Sequence, residues 1–365
     1  MTTLYAGLMS GTSLDGIDAV LVEAEPAGQL LAHHHQPLPA ALRDELLVLN
    51  AVGGADELAR AARAARDLAD AYADSLATLL DQAGEPARGV RAVGAHGQTV
   101  RHCPAEGYTI QLLDAARLAE RGGIDVVADL RSRDVAAGGQ GAPLVPAFHA
   151  ARFGRAGEDV AVLNLGGIAN LSLLAADGHV SGFDTGPANA LLDHWAQRHL
   201  GQPYDADGRW AAGGQVLADL LGALREEPYF ALQPPKSTGR DLFEPGWLQA
   251  RLDRFPPAAP QDVMATLLAL TASTVIDALR LHAPNTTRLR VCGGGAFNAS
   301  LMTALAAGLP GVDVQDTSAD GVAPDHVEAW AFAWLAQAFV ERRPGNLPAV
   351  TGASGPRVLG ALYPT

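Results

Sequence analysis

The stretch GFDTGPAN (182–189) sets one carboxylate, Asp184, beside a hydroxyl, a glycine and a proline, just ahead of Asn189. Asp or Thr before Pro is a common helix opening, with Thr185 as cap and Asp184 one step outside the helix. A carboxylate in that position is a natural general base for a hydroxyl or a water within hydrogen-bond reach. A plain N-cap accounts for the same residues. Glu328 opens the apolar stretch PDHVEAWAFAWLA. It reads either as a favourable charge at a helix start or as a second cleft carboxylate.

Near the start, LMSGTSLDGID (8–18) packs two glycines, three hydroxyls and two carboxylates between apolar flanks. Gly11 and Gly16 permit positive φ, and such a hairpin tip presents N–H groups to an anion, with Ser10, Thr12 and Ser13 adding hydroxyls. LNLGGIANLS (163–172) carries a second tip at Gly166-Gly167. Two tips facing across a cleft would grip a triphosphate from both sides, leaving Asp15 or Asp18 to hold Mg²⁺ directly or through water. Either tip alone is an ordinary turn. VCGGGAFN (291–298) lacks the spacing of a dinucleotide fingerprint. Its glycines serve either close backbone approach to a flat adenine or ribose, or tight strand-to-helix packing. Lys236-Ser237-Thr238 follows FALQPP with no glycine loop, which excludes a Walker motif.

His96, Gln98 and Thr99 in AHGQT, and Asp129 and Arg131 in ADLRSRD, are polar groups at the ends of apolar strands, where ligand contacts gather in α/β proteins. Arg131 can pair with a substrate carboxylate through its fork, or with Asp129 inside the protein. His33, His34 and His35 suggest a metal site, but neighbours on a strand point to opposite faces, so a solvated edge strand is the expectation.

The elements that must position these residues follow from periodicity. Strands are expected at 3–7 and 17–24, and a helix from Asp56 to Gln82 with an apolar stripe of Leu58, Ala62, Ala65, Ala69, Tyr72, Leu76 and Leu79. Segment 90–102 reads as a strand running into a polar turn. Segment 123–149 reads as a buried strand followed by a glycine-rich domain crossing. From 160, strands VAVLNL, IANLSLL and HVSGF alternate with GG and DG turns, and a helix opens at DTGPAN. Helices are expected near 262–282 and 326–342. The strand–glycine turn–strand pattern occurs twice, as two related α/β halves would produce.

The chain has 365 residues, enough for two domains. Its 48% hydrophobic and 18% charged residues describe a globular protein, and a net charge of −14 argues against nucleic-acid or anionic-membrane partners. No uncharged apolar run reaches membrane-spanning length, and no signal peptide is evident. Two distant cysteines, Cys103 and Cys292, fit a reduced, cytoplasmic setting.

In combination these stretches resemble the anhydro-N-acetylmuramic acid kinase family, of the sugar kinase, actin and heat-shock-chaperone ATPase superfamily. The likeness runs from LYAGLMSGTSLDGIDAVLVE through AHGQTVRH, LNLGGIANLS, GFDTGPANALLD, PPKSTGRDLF and CGGGAFN to TGASGPRVLGALYP. It implies an α/β, two-domain actin-like (ribonuclease H-like) fold with nucleotide and sugar in an inter-domain cleft. The domains would be 1–135 plus 343–365, and 136–342. It implies ATP and Mg²⁺ as cofactors, and 1,6-anhydro-N-acetylmuramic acid, a cell-wall recycling product, as substrate. Water opens the anhydro bridge and O6 is phosphorylated. By position, Asp184 matches the family's catalytic aspartate, with Glu328 orienting the water. Gly11, Thr12, Ser13, Leu14, Asp15, Gly16, Ile17 and Asp18 match its ATP-binding segment. Gly166, Gly167, Gly293, Gly294, Gly295 and Asn298 join them on the nucleotide side, and Asp15 and Asp18 at the metal. Arg131, Glu328 and Asp184, with Thr99 and Asn170, fall on the sugar side. A homodimer is also implied.

Overall fold

Strands apolar on both faces belong inside a sheet covered by helices, and the opening residues are of that kind. LYAGLM forms β1 (Leu4–Met9) and GIDAVLVE forms β2 (Gly16–Glu23), paired antiparallel from Leu4 opposite Glu23 to Met9 opposite Asp18. β3 (Leu30–Pro37) adds to β2 as the edge strand that the three histidines suggested. β4 (Val90–Ala95) runs parallel to β1. After a turn at His96-Gly97, β5 (Gln98–Cys103) and β6 (Tyr108–Leu112) make a separate hairpin. β7 (Val126–Ala128) lies parallel to β4, and the C-terminal strand Ala361–Tyr363 pairs antiparallel with it.

The computed structural model describes residues 2–11, 14, 16–24, 28–239 and 242–365. It divides into two units, Met1–Phe148 with His326–Thr365, and His149–Asp325. The second unit repeats the topology of the first. β8 (Val160–Leu165), β9 (Ile168–Leu174) and β10 (Val180–Pro187) form an antiparallel meander, and β11 (Arg288–Cys292) and β12 (Asp313–Asp316) continue the sheet in parallel from β8. The orders β3-β2-β1-β4-β7 and β10-β9-β8-β11-β12 are the same arrangement twice, the ribonuclease H-like topology of actin-like ATPases.

Each sheet is covered by helices whose apolar stripes it buries. In the first unit the Glu57–Ala83 helix buries Leu68, Tyr72, Leu76 and Leu79, each leucine contributing about 1.5–3 kcal/mol. Leu58 and Ala62, expected in the same stripe, are exposed. The first turns are tied instead by ion pairs of Glu57 with Arg101 and Arg60 with Glu45. In the second unit the Pro260–His282 helix is the one described helix long and apolar enough to cross a membrane, and 72% of that apolar window is buried in its own core.

The Val327–Val340 helix was expected with the second domain but sits with the first sheet. Its backbone lies almost on the strands. A Cβ at Gly7 would come within 1.9 Å of the Ala329 carbonyl, and one at Gly94 within 1.9 Å of the Phe332 carbonyl. Only glycine admits that approach, and it fixes Glu328 in the first unit.

Candidate active site

In the second unit three half-buried polar side chains stand on one rung at the end of the sheet where β8 finishes. Asn164 on β8 is opposite Asn170 on β9, and Asn170 is opposite Asp184 on β10. Antiparallel partners share a face, so the meander itself assembles this row. Phe183 and Thr185 alternate to the other face, Phe183 into the core.

Asp184 is not the residue before a capped helix. DTGP continues β10 past a register shift between Asp184 and Gly186, and the helix Asn189–Leu200 starts later, with Ala188 at its N-cap. Thr185 caps nothing: its hydroxyl donates to the Ala169 carbonyl at 3.3 Å. The first helical N–H groups, of Ala188, Asn189 and Ala190, donate to the carbonyls of Gly166 and Gly167. The strand prevails over the cap because Gly186 and Pro187 still find partners on β9.

Among the described residues the Asp184 carboxylate accepts one hydrogen bond, from the Thr238 N–H to Oδ2 at 2.9 Å. Burial pushes its pKa up to about 6, against the pull of that bond. Its main chain is held as well: its N–H donates to the Lys236 carbonyl at 3.2 Å and its carbonyl accepts from the Tyr229 hydroxyl at 2.8 Å. A desolvated carboxylate with one neutral donor is what a general base at neutral pH requires.

The glycine run 293–295 follows β11 and divides by role. A Cβ at Gly293 would meet the Asn164 side chain at 2.4 Å, and one at Gly295 the Leu165 Cβ at 2.5 Å, so these two serve packing. Gly294 meets only the Asn189 side chain, at 3.6 Å, and is not demanded by its neighbours. Asn298 caps the helix Ala299–Gly308, accepting from the Leu301 N–H at 3.0 Å.

In the first unit, Thr12, Ser13 and Asp15 of the opening motif lie outside the described residues. Leu14 and Ile17 turn their side chains into the core and offer only backbone. Gly16 is crowded by His35, whose ring would lie 2.4 Å from a Cβ. Gly11 presents its carbonyl to the Gln98 amide at 3.2 Å. Buried Ser10 bonds to Tyr72 Oη and Gln98 Oε1, both at 2.9 Å. Ser10 and Gly11 are thus braced by Tyr72 from the Glu57–Ala83 helix and by Gln98 from β5.

Arg131 does not pair with Asp129, whose carboxylate accepts from the Ser132 hydroxyl. Its Nε and Nη2 both donate to His96 Nε2, at 3.2 and 2.9 Å, and Nη1 donates to the Gly141 carbonyl at 2.8 Å. Burial, then the Arg131 charge, pulls His96 down to about 3, so it is a neutral acceptor. Burial lowers Arg131 to about 10, opposed by the charge of Glu328, and it stays a cation at neutral pH. Thr99, half-buried on β5, accepts from the Gln111 amide at 3.2 Å.

The whole chain, residues 3–365, matches the model of the anhydro-N-acetylmuramic acid kinase family. The chain belongs to this family. It is 62% identical to the anhydro-N-acetylmuramic acid kinase of Bordetella petrii, over 99% of this chain and 96% of that one. It is 57% identical to the enzyme of the same name from Variovorax paradoxus, over 99% of both chains. Among solved structures it is similar to component A of (R)-2-hydroxyglutaryl-CoA dehydratase from Acidaminococcus fermentans, at 12% identity and a TM-score of 0.48, over 91% of this chain and 97% of that one.

As a member of the anhydro-N-acetylmuramic acid kinase family the protein is a phosphotransferase. Of the two carboxylates expected at the metal, Asp15 lies outside the described residues, and Asp18 faces two histidines. Asp18 Oδ1 already faces His35 Nδ1 at 2.8 Å and His33 Nε2 at 3.6 Å. Burial raises the Asp18 pKa, but the two histidines outweigh it and hold the carboxyl below its ordinary range. Mg²⁺ takes one or two carboxylates, with waters and substrate phosphates completing its oxygen shell, so Asp18 could serve directly or through water only on the side its histidines leave open. No set of three or more His, Cys, Asp or Glu able to hold a metal occurs among the described residues.

Proposed function

We propose that this member of the family hydrolytically opens 1,6-anhydro-N-acetylmuramic acid and phosphorylates it from ATP. Asp184 takes a proton from water as the water oxygen bonds to C1. The C1–O6 bond breaks, and O6 bonds to the γ-phosphorus as the bond to the ADP oxygen breaks. The products are N-acetylmuramic acid 6-phosphate, ADP and one proton, so atoms and charge balance. An inverting glycosidase needs an acid for its leaving oxygen; here the phosphoryl group takes that place, and one base suffices. The observation that carries the reading is the Asp184 carboxylate, pushed up to about 6 by burial and oriented by a single N–H.

Glu328 orients the water in this reading, Arg131 binds a sugar carboxylate through the N–H positions left by His96 and Gly141, and Thr99 and Asn170 contact the sugar. Gly11–Asp18, with Gly166, Gly167, Gly294 and the other nucleotide-side residues, holds ATP largely through main-chain groups. Mg²⁺ accompanies the nucleotide phosphates, with Asp15 and Asp18 meeting it directly or through water. The reaction belongs to peptidoglycan recycling in the cytoplasm, carried out by a homodimer. Turnover in ¹⁸O-labelled water tests the central step: solvent oxygen is expected at C1 of the product. A product without label would defeat ring opening by water and leave an ordinary sugar kinase.

A further inference from the structure

Asp184 is the last residue of β10 in regular register with β9 before the chain skips Thr185. The β9–β10 register shifts between Asp184 and Gly186, and at such a bulge the ladder is locally disrupted. β10 is the edge of its sheet, and segment 229–238 bonds to Asp184 there. The Tyr229 hydroxyl donates to the Asp184 carbonyl at 2.8 Å, the Lys236 carbonyl accepts the Asp184 N–H at 3.2 Å, and the Thr238 N–H donates to Oδ2 at 2.9 Å. No other hydrogen bond reaches that carboxylate among the described residues, so Oδ1 is the oxygen left for a proton.

The segment is itself closed into a rigid clasp. The Lys236 ammonium donates to the carbonyls of Tyr229 and Phe230, each at 3.3 Å, and lies 4.8 Å from the centre of the Tyr229 ring. Tyr229 is buried, edge-on to Phe243 at 5.8 Å. Phe230 fills the space at the bulge: a Cβ on Gly186 would come within 2.7 Å of its ring.

We propose that Tyr229 is a positioning residue for Asp184, its hydroxyl fixing the main chain at the bulge so that the carboxylate meets the Thr238 N–H and presents Oδ1 to water. This rests on the reading of Asp184 as the base. Burial raises the Tyr229 pKa, which keeps its hydroxyl a donor throughout the working range. The titratable groups of the clasp are Tyr229 and Lys236, with His282, Asp277 and Arg225 lining the same pocket as Lys236, and the facing residue on β9 is the uncharged Asn170.

The test is Tyr229→Phe beside Asp184→Asn, in the full chain, assayed by ADP release with the anhydro sugar. Tyr229→Phe is expected to lower kcat roughly ten- to a hundred-fold with both KM values nearly unchanged. With the Thr238 N–H bond loosened, the acid limb of its pH profile moves upward by about half a unit or more. A fold-wide loss of packing would hydrate the carboxylate and move that limb downward instead. Wild-type kcat and an unmoved limb in Tyr229→Phe, with Asp184→Asn inactive, overturn the positioning role and leave the base in place. An active Asp184→Asn overturns the base itself. Should Tyr229→Phe fail to fold, Lys236→Met, at a half-exposed site, opens the same clasp: a smaller loss of kcat with the same direction of shift supports the role, and no change overturns it.

Discussion

Asn170 and Asp184 are cross-strand partners on β9 and β10, on the same face and the same rung. In the first unit β2 and β3 pair Asp18 with His35. Each sheet thus carries a polar cross-strand pair, the carboxylate of the first facing imidazoles and that of the second desolvated with an uncharged partner.

That pairing makes Asn170→Asp a sharp probe. It puts a second carboxylate roughly 5 Å from Asp184. Like charges oppose each other's ionisation, so the acid limb of kcat/KM moves about one unit above that of the wild type. A pH–rate profile of ADP release measures this, and an unmoved limb would separate the two residues functionally.

For the wild type, the proposed base must be ionised to accept a proton. Below pH of about 6, kcat/KM is expected to fall about tenfold per unit. Asp184→Asn should bind ATP with ordinary affinity by calorimetry yet lose turnover by roughly 10² or more. Near-normal turnover would remove Asp184 from the chemistry.

The same carboxylate carries a stability cost. Its folded pKa of about 6 exceeds its ordinary value of 3.8, so the folded state binds the proton more tightly. Its contribution therefore favours folding below pH 3.8 and weakens as pH rises to 6. Above pH 6 the full penalty is present, at most about 3 kcal/mol. Asp184→Asn is expected to be more stable than wild type by denaturant titration at pH 7.5, with the gain vanishing near pH 4. An equal difference at both pH values would contradict the desolvation.

His96→Leu removes the acceptor of two Arg131 N–H bonds without touching the guanidinium. The KM for the anhydro sugar is expected to rise roughly tenfold, with the KM for ATP little changed. Arg131→Lys should do worse, because an ammonium cannot serve His96, the Gly141 carbonyl and a sugar together. Steady-state kinetics with each substrate varied distinguishes these outcomes.

Much was legible in the chain. Apolar runs broken by glycine turns marked β1 with β2 and β8 through β10, and the duplicate pattern announced two related halves. The triple histidine read correctly as an edge strand: His33 and His35 turn to Asp18, and His34 turns to Gln82. The motif order pointed to the family, because so many separate stretches had to agree.

Other features were not legible, for definite reasons. DTGP looked like a helix opening because Thr and Pro have strong local preferences, yet pairing with β9 outweighs them. Leu58 and Ala62 fit the helix period, but a stripe does not say where its covering sheet ends. The Val327–Val340 helix lies far in sequence from Gly7 and Gly94, whose missing side chains receive it.

The sequence by itself determined the strands, the repeat and the candidate chemistry, since periodicity and residue type are local properties. Only the tertiary structure decided that the Tyr229 hydroxyl and the Thr238 N–H hold Asp184, that His96 occupies Arg131, and that Asp18 faces histidines. Those partners are distant along the chain. Burial and hydrogen bonding set the reactivity of a carboxylate, and both exist only once the sheet and its covering segments have packed.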